Sequence, residues 1–187
     1  MPLDASRNPL VLPILGLLLE QPAHAYDVTS RLRDRYGPDL GATRSTVTSL
    51  LKTLERNGLV TSEAPERVGN RPPRTVYDVT ETGLDDFRAK VTEGLRNART
   101  ASTDFTLAIA YAGIVHLRQA LSIVDERITR LDADLAALDA HPDGVAEVHM
   151  LEAAYWRTIV TAERDWLTAL ALRMRSGDLD WTGGTTP

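Results

Sequence analysis

Apolar residues run almost unbroken over residues 10–19 and stop at Glu20-Gln21-Pro22, which predicts a short, largely buried helix over 10–20. Over 24–35 the pattern changes: Tyr26, Val28, Leu32 and Tyr36 recur at mixed helical spacing with cations opposite, until Tyr36-Gly37-Pro38 breaks it. A third helix is predicted over 44–57, with Thr43 as N-cap and Asn57-Gly58 as its end. Its apolar side is Val47, Leu50, Leu51 and Leu54; its polar side is Arg44, Ser45, Thr46, Thr48, Ser49 and Lys52.

Beyond Gly58 the period shortens to two. Residues 59–62 and 75–79 read as strands, and the segment 63–74 between them, with Gly69-Asn70, Pro72-Pro73 and three arginines, reads as a long basic hairpin tip. Thr80 then caps a fourth helix whose first turns hold Glu81, Asp85 and Asp86, where the helix dipole favours anions. The polar, small-residue stretch 94–103 marks a boundary, and the rest is expected to be helical. Phe105, Ile109 and Ala112 form one stripe. Leu117, Leu121, Val124, Ile128, Leu131, Leu135 and Leu138 then follow at spacings of 4, 3, 4, 3, 4 and 3, a heptad seam of the coiled-coil kind. His141-Pro142-Asp143-Gly144 breaks the helix. From Val145 a last long helix is expected, with Val148, Leu151, Tyr155, Ile159, Ala162, Trp166 and Leu170 on its main apolar face and Trp156, Val160, Leu167 and Met174 widening it. Residues 181–187 read as a frayed tail.

The chain has 187 residues, enough for one large or two small domains. It has no cysteine, which excludes disulfides, thiolate metal sites and a cysteine nucleophile, and its longest apolar run is about half a membrane span, so a cytoplasmic chain without a membrane partner is expected. A net charge of −5 argues against nucleic acid only until it is resolved along the chain: residues 1–90 hold 12 cations and 12 anions, residues 91–187 hold 9 and 14. Within 44–74 there are six cations (Arg44, Lys52, Arg56, Arg67, Arg71, Arg74) against Glu55, Glu63 and Glu66. A phosphate responds to the local field, because salt screens charges beyond about 8 Å.

No nucleophile elbow, phosphate loop, dinucleotide fingerprint or zinc-protease motif occurs, so no enzyme is expected. His149 and Glu152 stand three apart on one helix, but no second pair completes a metal site, and no cofactor is expected.

Three helices followed by a two-stranded wing is the winged helix-turn-helix plan, with the third helix as major-groove reader. The strings PLVLPILGLLLEQPAHAYDVTSRL, STVTSLLKTLERNGLV and VGNRPPRTVYDVTETGL resemble the PadR family of transcriptional regulators over residues 9–84. The wing carries the resemblance best, through Gly69, Arg71, Pro72, Arg74, Tyr77 and Thr80-Glu81-Thr82-Gly83. Two positions depart: Ala25-Tyr26 stands for a family Gly-Tyr, and Thr48 for a tyrosine that such proteins use on the DNA backbone.

The fold class expected is mostly α with a small β-wing: a winged helix-turn-helix domain over 1–93, a linker over 94–103, a helical dimerisation domain over 104–176 and a tail over 177–187. The resemblance implies a regulator, a repressor in the first instance, that binds a pseudo-palindromic operator as a homodimer. The DNA surface would be Arg44, Ser45, Thr46, Thr48, Ser49, Lys52, Asn70, Arg71 and Arg74, with Arg67 beside them; the dimer would close on the heptad seam. It also implies an aromatic small-molecule effector, for which Phe105, Tyr111, His149, Tyr155, Trp156 and Trp166 are candidates. The plain alternative is that these aromatics are core, most strongly so for Trp166, with Trp156 the better candidate for a cavity wall. The rival readings of the whole are another winged-helix class, MarR-like, and a helical interaction module without DNA binding.

Overall fold

The computed structural model of the protein describes residues 8–37, 40–66, 74–140 and 146–181. The chain forms two compact units, Met1–Lys90 and Val91–Pro187.

In the first unit α1 (Val11–Glu20) is almost wholly buried: Val11, Pro13, Ile14, Leu15, Gly16, Leu17 and Leu18 all face inward. Pro13 is tolerated because it falls in the first turn, where backbone N–H groups lack intrahelical partners. Arg31 of α2 (Ala25–Tyr36) donates to the Leu17 carbonyl at 3.1 Å and pairs with Glu20 at 2.5 Å, satisfying the end of α1. α3 (Arg44–Arg56) starts where expected, the Thr43 hydroxyl accepting from the Thr46 N–H at 3.2 Å. Its inner side is Val47, Leu50, Leu51 and Leu54, and burial of each such side chain is worth about 1.5–3 kcal/mol.

The expected hairpin is β2 (Val60–Glu66) and β3 (Arg74–Val79), paired antiparallel from Val60↔Val79 to Glu66↔Arg74 with a shift in register between Glu63 and Glu66. The sheet has a third strand that the residue pattern does not announce. β1 (Ala23–His24) pairs with β3 through Ala23↔Tyr77 and His24↔Val76, giving the order β1-β3-β2. Two residues carry no period, so backbone pairing with β3 and a His24 Nδ1 contact to the Thr75 carbonyl at 3.0 Å define this strand.

Thr80 joins the wing to α4 (Glu81–Asn97). Its hydroxyl donates to the Gly58 carbonyl at 2.6 Å and accepts from the Gly83 N–H at 3.0 Å. Gly83 is required by close approach: a Cβ there would lie 1.9 Å from the Leu59 carbonyl oxygen. The Thr-Glu-Thr-Gly string is thus a clamp between the end of α3 and the start of α4.

α4 runs through Asn97, so the segment read as a linker over 94–103 begins with a helical turn, and only 98–102 lie between α4 and α5 (Thr103–Ala110). The division between the units falls inside α4. A 3₁₀ turn (Ala112–Ile114) leads to α6 (Leu117–Asp139), and a second (Glu147–Met150) to α7 (Leu151–Ser176); the last α-helix therefore starts six residues later than the pattern suggests. The expected break at 141–144 lies outside the described residues. α6 and α7 are antiparallel, as their ion pairs show: Arg157–Asp139 at 2.9 Å, Arg164–Asp132 at 3.8 Å and Arg175–Asp125 at 2.5 Å. Gly177, at φ 79°, ends α7 as a left-handed cap. Trp181, read as the start of a frayed tail, is instead held, its indole donating to the Val115 carbonyl at 2.8 Å.

At the centre of this unit Arg127 is 4% exposed. It pairs with Glu163 at 2.6 Å, donates to the Leu95 and Ala98 carbonyls at the end of α4, and lies 3.7 Å over the Phe105 ring. Glu163 also accepts from the Ala101 N–H at 3.0 Å. One buried ion pair thus ties α4, α5, α6 and α7.

Candidate nucleic-acid interface

With one side of α3 buried, the other is presented outward. Arg44, Ser45, Ser49 and Lys52 are exposed, and Thr46 and Thr48 are half-buried. The hydroxyls are organised along the backbone. Thr43 Oγ1 lies 3.0 Å from Ser45 Oγ and 2.8 Å from Thr46 Oγ1, and Thr48 donates to the Arg44 carbonyl at 2.8 Å. The Thr48 hydroxyl therefore has acceptor capacity to spare, but must release the Arg44 carbonyl before it can donate to a phosphate. The face carries two cations, Arg44 and Lys52, and no anion: Glu55 is engaged by the Ser62 hydroxyl across α3 and β2.

One residue of this surface escapes the sequence reading. Tyr26, counted there among the apolar positions of the second helix, is 60% exposed at the start of α2, with the Arg44 guanidinium 5.9 Å from its ring centroid. The pairing brings the first turn of α2 to the first residue of α3. The signal was present in the mixed spacing of 24–35, where Tyr26 does not share the arc of Val28 and Leu32.

In the wing, Tyr77 is buried on β3, and burial, helped by the negative charge of Glu55, pushes its hydroxyl pKa above the ordinary 10.0. Arg74 is the first residue of β3, opposite Glu66. Asn70, Arg71 and Arg67 lie outside the described residues.

The seam residues of α6 divide. Val124 and Leu131 are buried, Leu121, Ile128, Leu135 and Leu138 are half-buried, and Leu117 is exposed. On α7 the buried line is Val160, Leu167, Ala171 and Met174, which the pattern assigned a secondary place. The line expected to be the main core face is turned outward: Val148, Leu151, Tyr155 and Trp166 are 64%, 60%, 64% and 46% exposed. Trp166 is thus not a core residue of the single chain. An α-helix can have two apolar stripes, and hydrophobicity alone does not say which one its own chain covers.

Of the six aromatic and polar candidates for an effector site, Trp156 lines a cavity of about 550 Å³ in the helical unit, and the other five are not in the lining of that cavity. Leu131, Ala137, Leu138 and Val160 give the apolar lining; Arg99, Arg127, Arg130 and Asp134 give the charge, Arg127 being already paired with Glu163. Tyr155 packs edge-on against Trp156 with ring centroids 6.0 Å apart. Phe105 is buried under Arg127, Tyr111 is half-buried at the end of α5, and His149, Tyr155 and Trp166 are exposed and not part of the lining. The lining arginines were missed because they belong to the turn after α4 and to α6, far apart in sequence. Among the described residues no group of three or more His, Asp or Glu side chains is placed to hold a metal, and no helix is long and apolar enough to cross a membrane.

Residues 14–89 match the transcriptional regulator PadR-like family. Among solved structures the chain is similar to PadR of Bacillus subtilis in complex with operator DNA, at 19% identity and a TM-score of 0.44, over 88% of this chain and 98% of that one. It is similar to the same protein in complex with p-coumaric acid, at 19% identity and a TM-score of 0.37, over 89% and 99%. A third is the PadR-like transcriptional regulator of Bacillus cereus, at 16% identity and a TM-score of 0.37, over 91% and 98%. No curated protein matches the chain.

Proposed function

We propose that this chain, a transcriptional regulator whose residues 14–89 are a PadR-like domain, represses by binding a pseudo-palindromic operator as a homodimer and is released by a small aromatic anion. The observation that carries the DNA reading is the outer face of α3. Arg44, Ser45, Thr46, Thr48, Ser49 and Lys52 are set out along one helix whose opposite side is locked into the core by Val47, Leu50, Leu51 and Leu54. A helix so anchored can enter the major groove, where arginine and lysine read guanine edges and hydroxyls reach bases or phosphates. The wing arginines, Arg71 and Arg74, serve as sequence-independent backbone contacts.

The expected domains are a winged helix-turn-helix over 1–93 and a helical dimerisation domain over 104–176. Support for the dimer comes from apolar side chains of α7 left in water by the single chain, a patch larger than scattered surface residues produce. Support for the effector comes from the cavity at Trp156, whose volume falls in the range of small-molecule sites. Of the three lining arginines Arg127 is paired with Glu163, and the other two, Arg99 and Arg130 against the single Asp134, favour an anionic group beside a flat ring.

The test is selection of bound genomic fragments, followed by titration of the recovered duplex at increasing salt. A regulator that neutralises several phosphates loses affinity linearly in log salt, with a slope of about −0.9 per phosphate. Binding that is absent, or insensitive to both sequence and salt, would return the chain to the class of protein-interaction modules.

A further inference from the structure

We infer that the cavity at Trp156 takes an aromatic α-amino acid, its carboxylate on Arg130, its ammonium on Asp134 and its ring against Trp156. The inference rests on the reading of this cavity as the effector site. It keeps the ring and the carboxylate of that reading and adds a positive group beside the carboxylate.

The two charges that receive the head group come from one helix. Arg130 and Asp134 stand four residues apart on α6, and both line the cavity. Side chains at that spacing lie one above the other, with Cβ atoms about 5–6 Å apart. A pair so spaced could close on itself, but this one does not. Arg130 donates from Nη2 to the Arg96 carbonyl in the last turn of α4, and Asp134 has no ion-pair or hydrogen-bond partner among the described residues. Arg130 therefore keeps the N–H groups of Nε and Nη1 for a ligand, and Asp134 keeps both oxygens. Arg127, the other α6 arginine in the lining, is committed to Glu163 and to the Leu95 and Ala98 carbonyls.

A guanidinium and a carboxylate one helical turn apart match a head that carries both charges close together, and an α-amino acid carries both on one carbon. A simple aromatic acid answers only the arginine and sets its own negative charge beside Asp134. An ammonium turns that repulsion into a charge-assisted hydrogen bond. Arg99, in the turn after α4, leaves the unpaired lining net positive, which favours a ligand that retains its carboxylate. The ring has a place as well. Leu138 and Val160 join Trp156 in the lining, and a volume of about 550 Å³ admits a ring and a charged head together.

Calorimetric titration of the full chain with L-phenylalanine, 3-phenylpropionate, p-coumaric acid and phenethylamine takes the head group apart. The two acids lack the ammonium, and the amine lacks the carboxylate. L-Phenylalanine should bind about 10-fold tighter than any of the other three, because each of them loses a hydrogen bond to a charged partner. Asp134→Asn should bring L-phenylalanine down to the affinity of 3-phenylpropionate without weakening the acid. Arg130→Gln should weaken both and spare phenethylamine. With ring, carboxylate and ammonium each held, D-phenylalanine should differ in affinity from the L form, and equal affinities would overturn the three-point arrangement. Either acid binding as tightly as L-phenylalanine, or Asp134→Asn leaving the preference intact, would overturn the amino acid and leave the cavity a site for aromatic acids. Binding by none of the ligands would overturn both readings.

Discussion

Arg44 sits at the first position of α3 with Tyr26 beside it, and the pair gives a prediction at the scale of single side chains. A guanidinium held over an aromatic face has fewer rotamers to lose on binding, and the contact itself is worth about 0.5–1 kcal/mol at an exposed site. Arg44→Ala should weaken operator binding and relax the preference at one base position by about 1–3 kcal/mol. Tyr26→Ala should give a smaller loss in the same direction, and combining the two should cost less than their sum, because they act through one contact. Strict additivity in a titration of the four proteins would show that Tyr26 does not act through Arg44. Lys52→Ala, by contrast, should lower affinity for all sequences alike if it meets only phosphate. Tyr77 supplies a pH prediction. Its pKa is raised in the folded chain by burial and by Glu55, so the unfolded chain loses its proton first. Stability is then whole below about pH 10 and falls as pH rises through the folded pKa, and Tyr77→Phe should flatten that alkaline fall when urea midpoints are compared.

Among the elements, α1, α3, the hairpin and the start of α4 were legible because local rules and tertiary needs agree there. Val47, Leu50, Leu51 and Leu54 have one side only, Thr43 and Thr80 stand where a cap is needed, and Gly58 and Gly83 meet a positive φ and a 1.9 Å approach. β1 was not legible, since two residues cannot show a period. The assignment of α7's two stripes was not legible either, for spacing identifies stripes but does not say which of them α6 covers. Nor was the Arg127–Glu163 pair, whose members lie 36 residues apart and read singly as polar positions. That pair is the clearest energetic prediction for the helical unit. Removing one partner of a buried ion pair leaves an uncompensated charge, so Glu163→Gln should destabilise by about 3–5 kcal/mol. Arg127→Met with Glu163→Leu should recover part of that loss, because apolar replacement of the whole pair removes the stranded charge. It should not recover all of it, since Arg127 also satisfies the Leu95 and Ala98 carbonyls and Glu163 the Ala101 N–H. Full recovery in chemical unfolding would mean that these backbone groups find water instead.

At the scale of the whole molecule, the question is whether the helical unit informs the DNA surface. A ligand can release an operator only if it binds better to the conformations that DNA binds less well, and the coupling is then the same in both directions. The cavity at Trp156 offers a place for that ligand, and its neighbour Tyr155 is one of the exposed apolar α7 side chains that support the homodimer reading. Occupancy of the cavity would thus be felt next to the dimer contact, where a change in the separation of two DNA-reading helices costs affinity for paired half-sites. Aromatic carboxylates of increasing ring size, titrated against the protein, should quench tryptophan fluorescence. Trp156→Phe should abolish the response, and Trp166→Phe and Trp181→Phe should keep it. The acid that quenches most should weaken operator binding by about 5–150-fold at saturation, the range set by couplings of about 1–3 kcal/mol. Reciprocity makes the test strict: operator DNA must weaken binding of that acid by the same factor. An acid that quenches through Trp156 yet leaves operator affinity unchanged would make the cavity a binding site without regulatory effect.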